Sequence, residues 1–208
     1  MELKVVADIA SVATELYLEV SPRTVALAGG STPRPAYELI SRLEYPWTQT
    51  HVFFGDERCV SADDPDSNFR MASEALLSKV PAVCHPMTGC DPQGYEVELA
   101  TVMGSGVPRF DMVFLGLGED GHTASLFPGD PAVDIVDRNV ALVERPDHRR
   151  MTLTLPVLSA ARVAIFMVSG ANKQWALTEL LAGGDIPAAK VKAGRVVVIA
   201  DPAAAGAA

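Results

Sequence analysis

The chain has 208 residues, 49% of them apolar and 21% charged, and a net charge of −9. That length suits one α/β domain with a substantial buried core, and the composition is that of a globular chain rather than a disordered one. The acidic balance argues against a nucleic-acid or anionic-membrane surface, and any anionic substrate needs a local basic pocket.

Leu3 to Ala7 reads as a strand, and Asp8 as the cap of a helix running to about Val20, with Ile9, Val12, Ala13, Leu16 and Tyr17 at helical spacing. This N-terminus, MELKVVADIA, lacks the basic-then-apolar layout of a signal peptide. No segment reaches the ~18 apolar residues of a membrane span. Thr24 to Ala28 is a second strand, followed by Gly29-Gly30-Ser31-Thr32-Pro33 and a helix expected over 33–43. A strand, a glycine turn, a Ser/Thr cap and a first-turn proline make a strand-to-helix junction. Its free N–H groups and helix dipole can cradle a phosphate; a well-capped helix accounts for the same residues. Arg34, in the first turn, fits beside a bound anion or in solvent.

His51 to Phe54 is a strand running into the loop Gly55-Asp56-Glu57-Arg58. Ser67 or Asn68 can cap a helix over 69–79; residues 81–89 read as a loop, and 93–103 as a helix. Cys59, Cys84 and Cys90 form no C-x-x-C pair, so reduced thiols in a cytoplasmic protein are expected.

Met112 to Leu115 is an apolar run expected as a strand buried on both faces. It breaks into Gly116-Leu117-Gly118-Glu119-Asp120-Gly121-His122. In open α/β sheets, ligands bind beyond the carboxyl ends of strands. Asp120, two residues before His122, can orient the imidazole; a glycine turn with a capping aspartate and a surface histidine is the alternative. His51, His85, His122 and His148 show no metal-ligand spacing, so no metal or other cofactor is expected.

Strands are expected at 140–143, 151–156, 163–168 and 196–200, with Ser125 in a short helix and 203–208 as a frayed tail. Alternating strands and helices give a single domain over 1–208, an open, mostly parallel, Rossmann-like sheet with helices on both faces. The loops at 29–32, 55–58, 116–122 and 170–173 all follow strands, so they should gather at one edge of the sheet.

The 14 residues GLGEDGHTASLFPG closely resemble the signature of the 6-phosphogluconolactonases, in a wider family that includes glucosamine-6-phosphate deaminase. GGSTP, GDER, and the arginine before MTLTLPVL resemble the same family. The resemblance implies hydrolysis of a phosphosugar lactone, with Gly29, Gly30, Ser31, Thr32, Arg150 and Lys173 on the phosphate. Asp56 and Arg58 would face the substrate, and Glu57 would point away or pair with a neighbour. His122 would be the general base, Asp120 or Asp56 would orient it, and Arg58 would stabilise the oxyanion. No nucleic-acid or membrane partner is expected, and the oligomeric state is not legible. The deaminase motif carries a further acid after DGH, where this chain reads DGHTASLF. A non-catalytic phosphosugar-binding regulator is the other alternative; the intact Asp120 and His122 weigh against it.

Overall fold

Apolar runs make the central strands of the computed structural model, which describes residues 1–206. In chain order, β1 (Glu2–Val5) leads to α1 (Ile9–Val20), β2 (Thr24–Leu27), α2 (Arg34–Ile40), β3 (His51–Phe54) and β4 (Asp56–Arg58). Next come α3 (Asn68–Ala72), β5 (Val83–Cys84), α4 (Pro92–Met103), β6 (Met112–Gly116), β7 (Val140–Val143) and β8 (Arg150–Leu153). The chain closes with α5 (Leu155–Ala160), β9 (Val163–Val168), α6 (Gln174–Ala182) and β10 (Arg195–Ala200).

Seven strands form one parallel sheet in the order β1-β10-β9-β6-β2-β3-β5. β9 is buried throughout and β6 nearly so, as strands covered on both faces must be. Through α1, α2 and α3 the chain steps along the sheet in one direction; through α4, α5 and α6 it steps in the other. Right-handed crossovers put those two sets on opposite faces. This is the expected single-domain α/β architecture.

Local sequence explains several joints. The Asp8 carboxylate accepts the Ser11 N–H at 3.0 Å and starts α1. The buried Tyr37 hydroxyl accepts from the Ala28 N–H at 2.9 Å and donates to the Ala28 carbonyl at 3.0 Å. It thus satisfies backbone groups where the sheet stops pairing, and it pins the start of the loop after β2. Tyr95 does the same for β3, accepting from the Phe54 N–H at 3.0 Å and donating to the His85 carbonyl at 3.2 Å. Burial pushes both phenols well above their ordinary pKa.

The structure corrects some expectations. Residues 56–58 are not a loop: β4 pairs antiparallel with β8, and β8 with β7, making a second, three-stranded sheet. The expected loop 81–89 contains the two-residue β5. The helix expected over 69–79 is α3 followed by a π turn, Ser73–Leu77. α2 starts after Pro33, with no side-chain cap from Ser31 or Thr32, and ends at Ile40. Ser125 lies in a tight Thr123–Leu126 turn, not a helix. Cys59 and Cys90 are joined as a disulfide, their Cα atoms 5.2 Å apart, and Cys84 alone is free. The tail is docked rather than frayed over 203–206: Ala204 is buried and its N–H donates to Asp201 at 2.7 Å. Residues 207 and 208 lie outside the described residues.

Candidate active site

Strand order reverses between β2 and β6: the chain leaves β2 toward β3 and β5, then returns to β6 on the other side. The crevice beyond the carboxyl ends of β2 and β6 is therefore the topological switch point, where open sheets bind ligands. A cavity of about 400 Å³ opens there. Its walls include Gly29 to Pro33, Asp56, Arg58, Asn68, Gly118, His122, Arg150, Asn172 and Lys173. The four strand-following segments thus converge, and Arg150 joins them from the second sheet.

His122 reaches the cavity because β6 ends in glycine. Its N–H donates to Asp120 Oδ1 at 3.1 Å, and its Nδ1 lies 2.6 Å from the same oxygen. A carboxylate only accepts, so in the neutral imidazole Nδ1 carries the proton and Nε2 keeps its lone pair. Asp120 is thus the acid that holds His122, and it does so from just outside the cavity wall. Burial would raise the Asp120 pKa, but the His122 N–H and imidazole outweigh it and hold the carboxyl below its ordinary value. Gly118 makes room for the pair: a Cβ there would collide with the imidazole and come within 2.6 Å of Asp120 Oδ1. Gly121 adopts φ +84, which suits glycine.

Asp56 is buried in the cavity wall, and its carboxylate accepts from Ser125 Oγ at 2.6 Å rather than holding His122. Glu57 turns away from the cavity, as expected. Its carboxylate accepts from the Asn68 N–H at 2.8 Å, the Phe69 N–H at 2.7 Å and Ser67 Oγ at 3.0 Å, closing the start of α3. Burial still leaves its pKa raised, against these hydrogen bonds.

Arg58 and Arg150 sit directly opposite each other in the β4–β8 ladder. Like charges at such a position repel. The Nε–H of each is buried and has no hydrogen-bond partner among the described residues. Arg58 donates to the Asp66 carbonyl at 2.6 Å, and Arg150 pairs with Asp147. Burial would raise the Asp147 pKa, but the His148 N–H and Arg150 hold it down at about 2. An anion between the arginines would offset their repulsion and satisfy both Nε–H groups. Among the described residues, the N–H groups of Gly30, Ser31 and Thr32 also have no partner, and Gly30 adopts φ +94. Lys173, at the end of a 3₁₀ turn, faces the same space. Arg34 does not: it pairs with Glu38 and Glu74 along a neighbouring cleft.

Asn68 was read in the sequence only as a cap, and it proves to be a wall of the site. It is buried, its Nδ2 donates to the Asp56 carbonyl at 2.8 Å, and its amide fills the space a Cβ on Gly29 would need. Phe127 was missed altogether; its ring packs on His122 with centroids 4.4 Å apart. Neither carries a local signal beyond membership of a longer motif. His85 is buried against His51 and Glu98, and His148 pairs with Asp66; neither lines the cavity.

A family model described as glucosamine-6-phosphate isomerases/6-phosphogluconolactonase matches residues 1–199. A Synechocystis protein named 6-phosphogluconolactonase is 47% identical over 181 residues, covering 81% of this chain and 75% of that one. The crystal structure of a Thermotoga maritima 6-phosphogluconolactonase superposes with a TM-score of 0.86 at 29% identity, covering 96% of this chain and 99% of that one. A monomeric glucosamine-6-phosphate deaminase gives a TM-score of 0.85 at 20% identity with full coverage of both chains, a likeness of fold alone. The family match over nearly the whole length, with a relative 47% identical over 181 residues, shows that this chain belongs to the glucosamine-6-phosphate isomerase/6-phosphogluconolactonase family.

Proposed function

We infer that this chain is a 6-phosphogluconolactonase, hydrolysing 6-phospho-D-glucono-1,5-lactone to 6-phospho-D-gluconate. The observation that carries the reading is one cavity holding an Asp120-bound imidazole together with Arg58, Arg150 and Lys173, in a chain of net charge −9. Ester hydrolysis needs an activated water, a stabilised oxyanion and a proton for the leaving oxygen. His122 Nε2 takes a proton from water, and the resulting hydroxide attacks the lactone carbonyl carbon. The tetrahedral oxyanion forms beside Arg58. Its collapse breaks the bond to the ring oxygen, which takes the proton back from His122. Gly29, Gly30, Ser31, Thr32, Arg150 and Lys173 hold the 6-phosphate. Asp120 fixes the imidazole; Asp56, engaged by Ser125, is the next candidate should His122 prove dispensable.

The whole chain acts as one such domain on a small phosphosugar lactone in the cytoplasm, with no nucleic-acid or membrane partner. The deaminase reading has fold likeness in its favour and lacks the further acid after DGH. The direct test is acid release from freshly generated 6-phosphogluconolactone, corrected for spontaneous hydrolysis. Turnover well above the enzyme-free blank supports the reading. Ammonia release from glucosamine 6-phosphate with no lactone turnover would replace it.

A further inference from the structure

Asp120 fixes only one atom of the imidazole, Nδ1, and one hydrogen bond leaves the ring free to swing about that bond. Nε2 must nevertheless point at the attacking water. The second constraint is Phe127. It is buried, it does not line the cavity, and its ring lies against His122 at 4.4 Å with an interplanar angle of 38°. The same ring carries two cations from the β7–β8 hairpin: Arg145, with Cζ 4.1 Å from the ring centroid, and Arg150 at 5.5 Å. The hairpin's acids are engaged elsewhere, Glu144 with Arg149 and Asp147 with Arg150. Arg145 is exposed and forms no ion pair among the described residues, so the ring is its one recorded partner. A guanidinium over an aromatic face is attracted by the ring quadrupole.

We propose that Phe127 is a positioning residue that sets the direction of the His122 imidazole, with Arg145 as the clamp on its ring. The proposal rests on His122 being the base. Phe127 packs on His122 at 4.4 Å and meets Arg150 only at 5.5 Å, so its loss should reduce turnover more than substrate binding. A displacement of about 1 Å at a reacting group can cost about 10²-fold in rate.

The test is blank-corrected steady-state lactonase kinetics on the full chain for Phe127→Leu, Phe127→Tyr, Arg145→Gln and His122→Asn, with melting temperatures measured in parallel. Phe127→Leu keeps apolar bulk and removes the flat face. Its kcat should fall roughly 10–100-fold with KM within about 3-fold of wild type. Phe127→Tyr restores the aromatic face, so its kcat should return to within about 3-fold. Arg145→Gln changes an exposed side chain and removes its cation–π contact, so melting should fall by no more than about 4 °C while kcat falls roughly 3–10-fold. A folded Phe127→Leu protein with wild-type kcat, a loss confined to KM, or no rescue by tyrosine overturns the positioning role. Unchanged kcat in Arg145→Gln overturns the clamp, and decides the matter if Phe127→Leu does not fold. If His122→Asn keeps its turnover, the base assignment itself falls; if only Phe127→Leu does, the base assignment stands and this proposal falls.

Discussion

Replacing Arg150 by methionine should make the protein more stable and less active. Arg150 is nearly buried, with 12% of its side chain exposed, and it faces Arg58 across the ladder. Its buried Nε–H has no partner among the described residues, a deficit worth about 1–3 kcal/mol. Methionine keeps an apolar stem and removes both the unpaired donor and the facing charge. The substitution also loses the pair with the exposed Asp147, worth about 0–1 kcal/mol, and a distant cation–π contact worth about 0.5 kcal/mol. The balance is a gain of about 1 kcal/mol, or about 2–4 °C in melting temperature for a chain of this size. Activity should move the other way. A charge-assisted contact to phosphate is worth about 1.5–3 kcal/mol, so kcat/KM for 6-phosphogluconolactone should fall about 10–150-fold. Unphosphorylated gluconolactone, having nothing to offer Arg150, should lose little. The assay is a thermal melt paired with kinetics on both lactones. A lower melting temperature with equal losses on the two substrates would show that Arg150 is a structural residue and that the anion site lies elsewhere.

Lys173→Ala should lower kcat/KM for the phosphorylated lactone about 10–150-fold while sparing gluconolactone, since the charge lost belongs to the same anion site; equal losses on both substrates refute that role. Asp120 has a depressed pKa in the fold, so its carboxylate stabilises the native state above its unfolded pKa of about 3.9, and that contribution is lost as pH falls through the lower folded value. The stability gap between wild type and Asp120→Asn should therefore close in strong acid, and a gap unchanged from neutral pH to pH 2 would contradict the pairing. The Cys59–Cys90 bridge spans 31 residues, so the Cys59→Ser/Cys90→Ser double variant should lose about 3.5 kcal/mol by loop-closure entropy. Identical denaturation midpoints for wild type with and without a reductant would count against a stabilising bridge.

What the sequence revealed was what adjacent residues determine. The run from Met112 to His122 reads as a buried strand, a glycine break and a dyad because all three are contiguous, and the structure keeps them so. The turn at Gly29 and Gly30 is legible for the same reason. The features that were misread depend on distant partners. Asp56 to Arg58 has no strand pattern of its own; β8, more than 90 residues later, makes it a strand and sets Arg58 against Arg150. Ser125 finds Asp56 across 69 residues, and Cys59 finds Cys90 only once β4 and the start of α4 are in place. Asn68 had a sufficient local explanation as a helix cap, which hid its place over Gly29. Phe127 and Arg145 are ordinary residues until the hairpin folds over the ring.

The central claim, that His122 is the general base, is tested most directly by the turnover of His122→Asn. The side chain has about a third of its surface exposed, so the variant should keep its melting temperature. Positioned acid–base catalysis contributes about 10²–10⁴-fold, and blank-corrected kcat should fall by that much, while the control His148→Ala stays near wild type. A folded His122→Asn protein that keeps most of its turnover would contradict the account and move the base to Asp56.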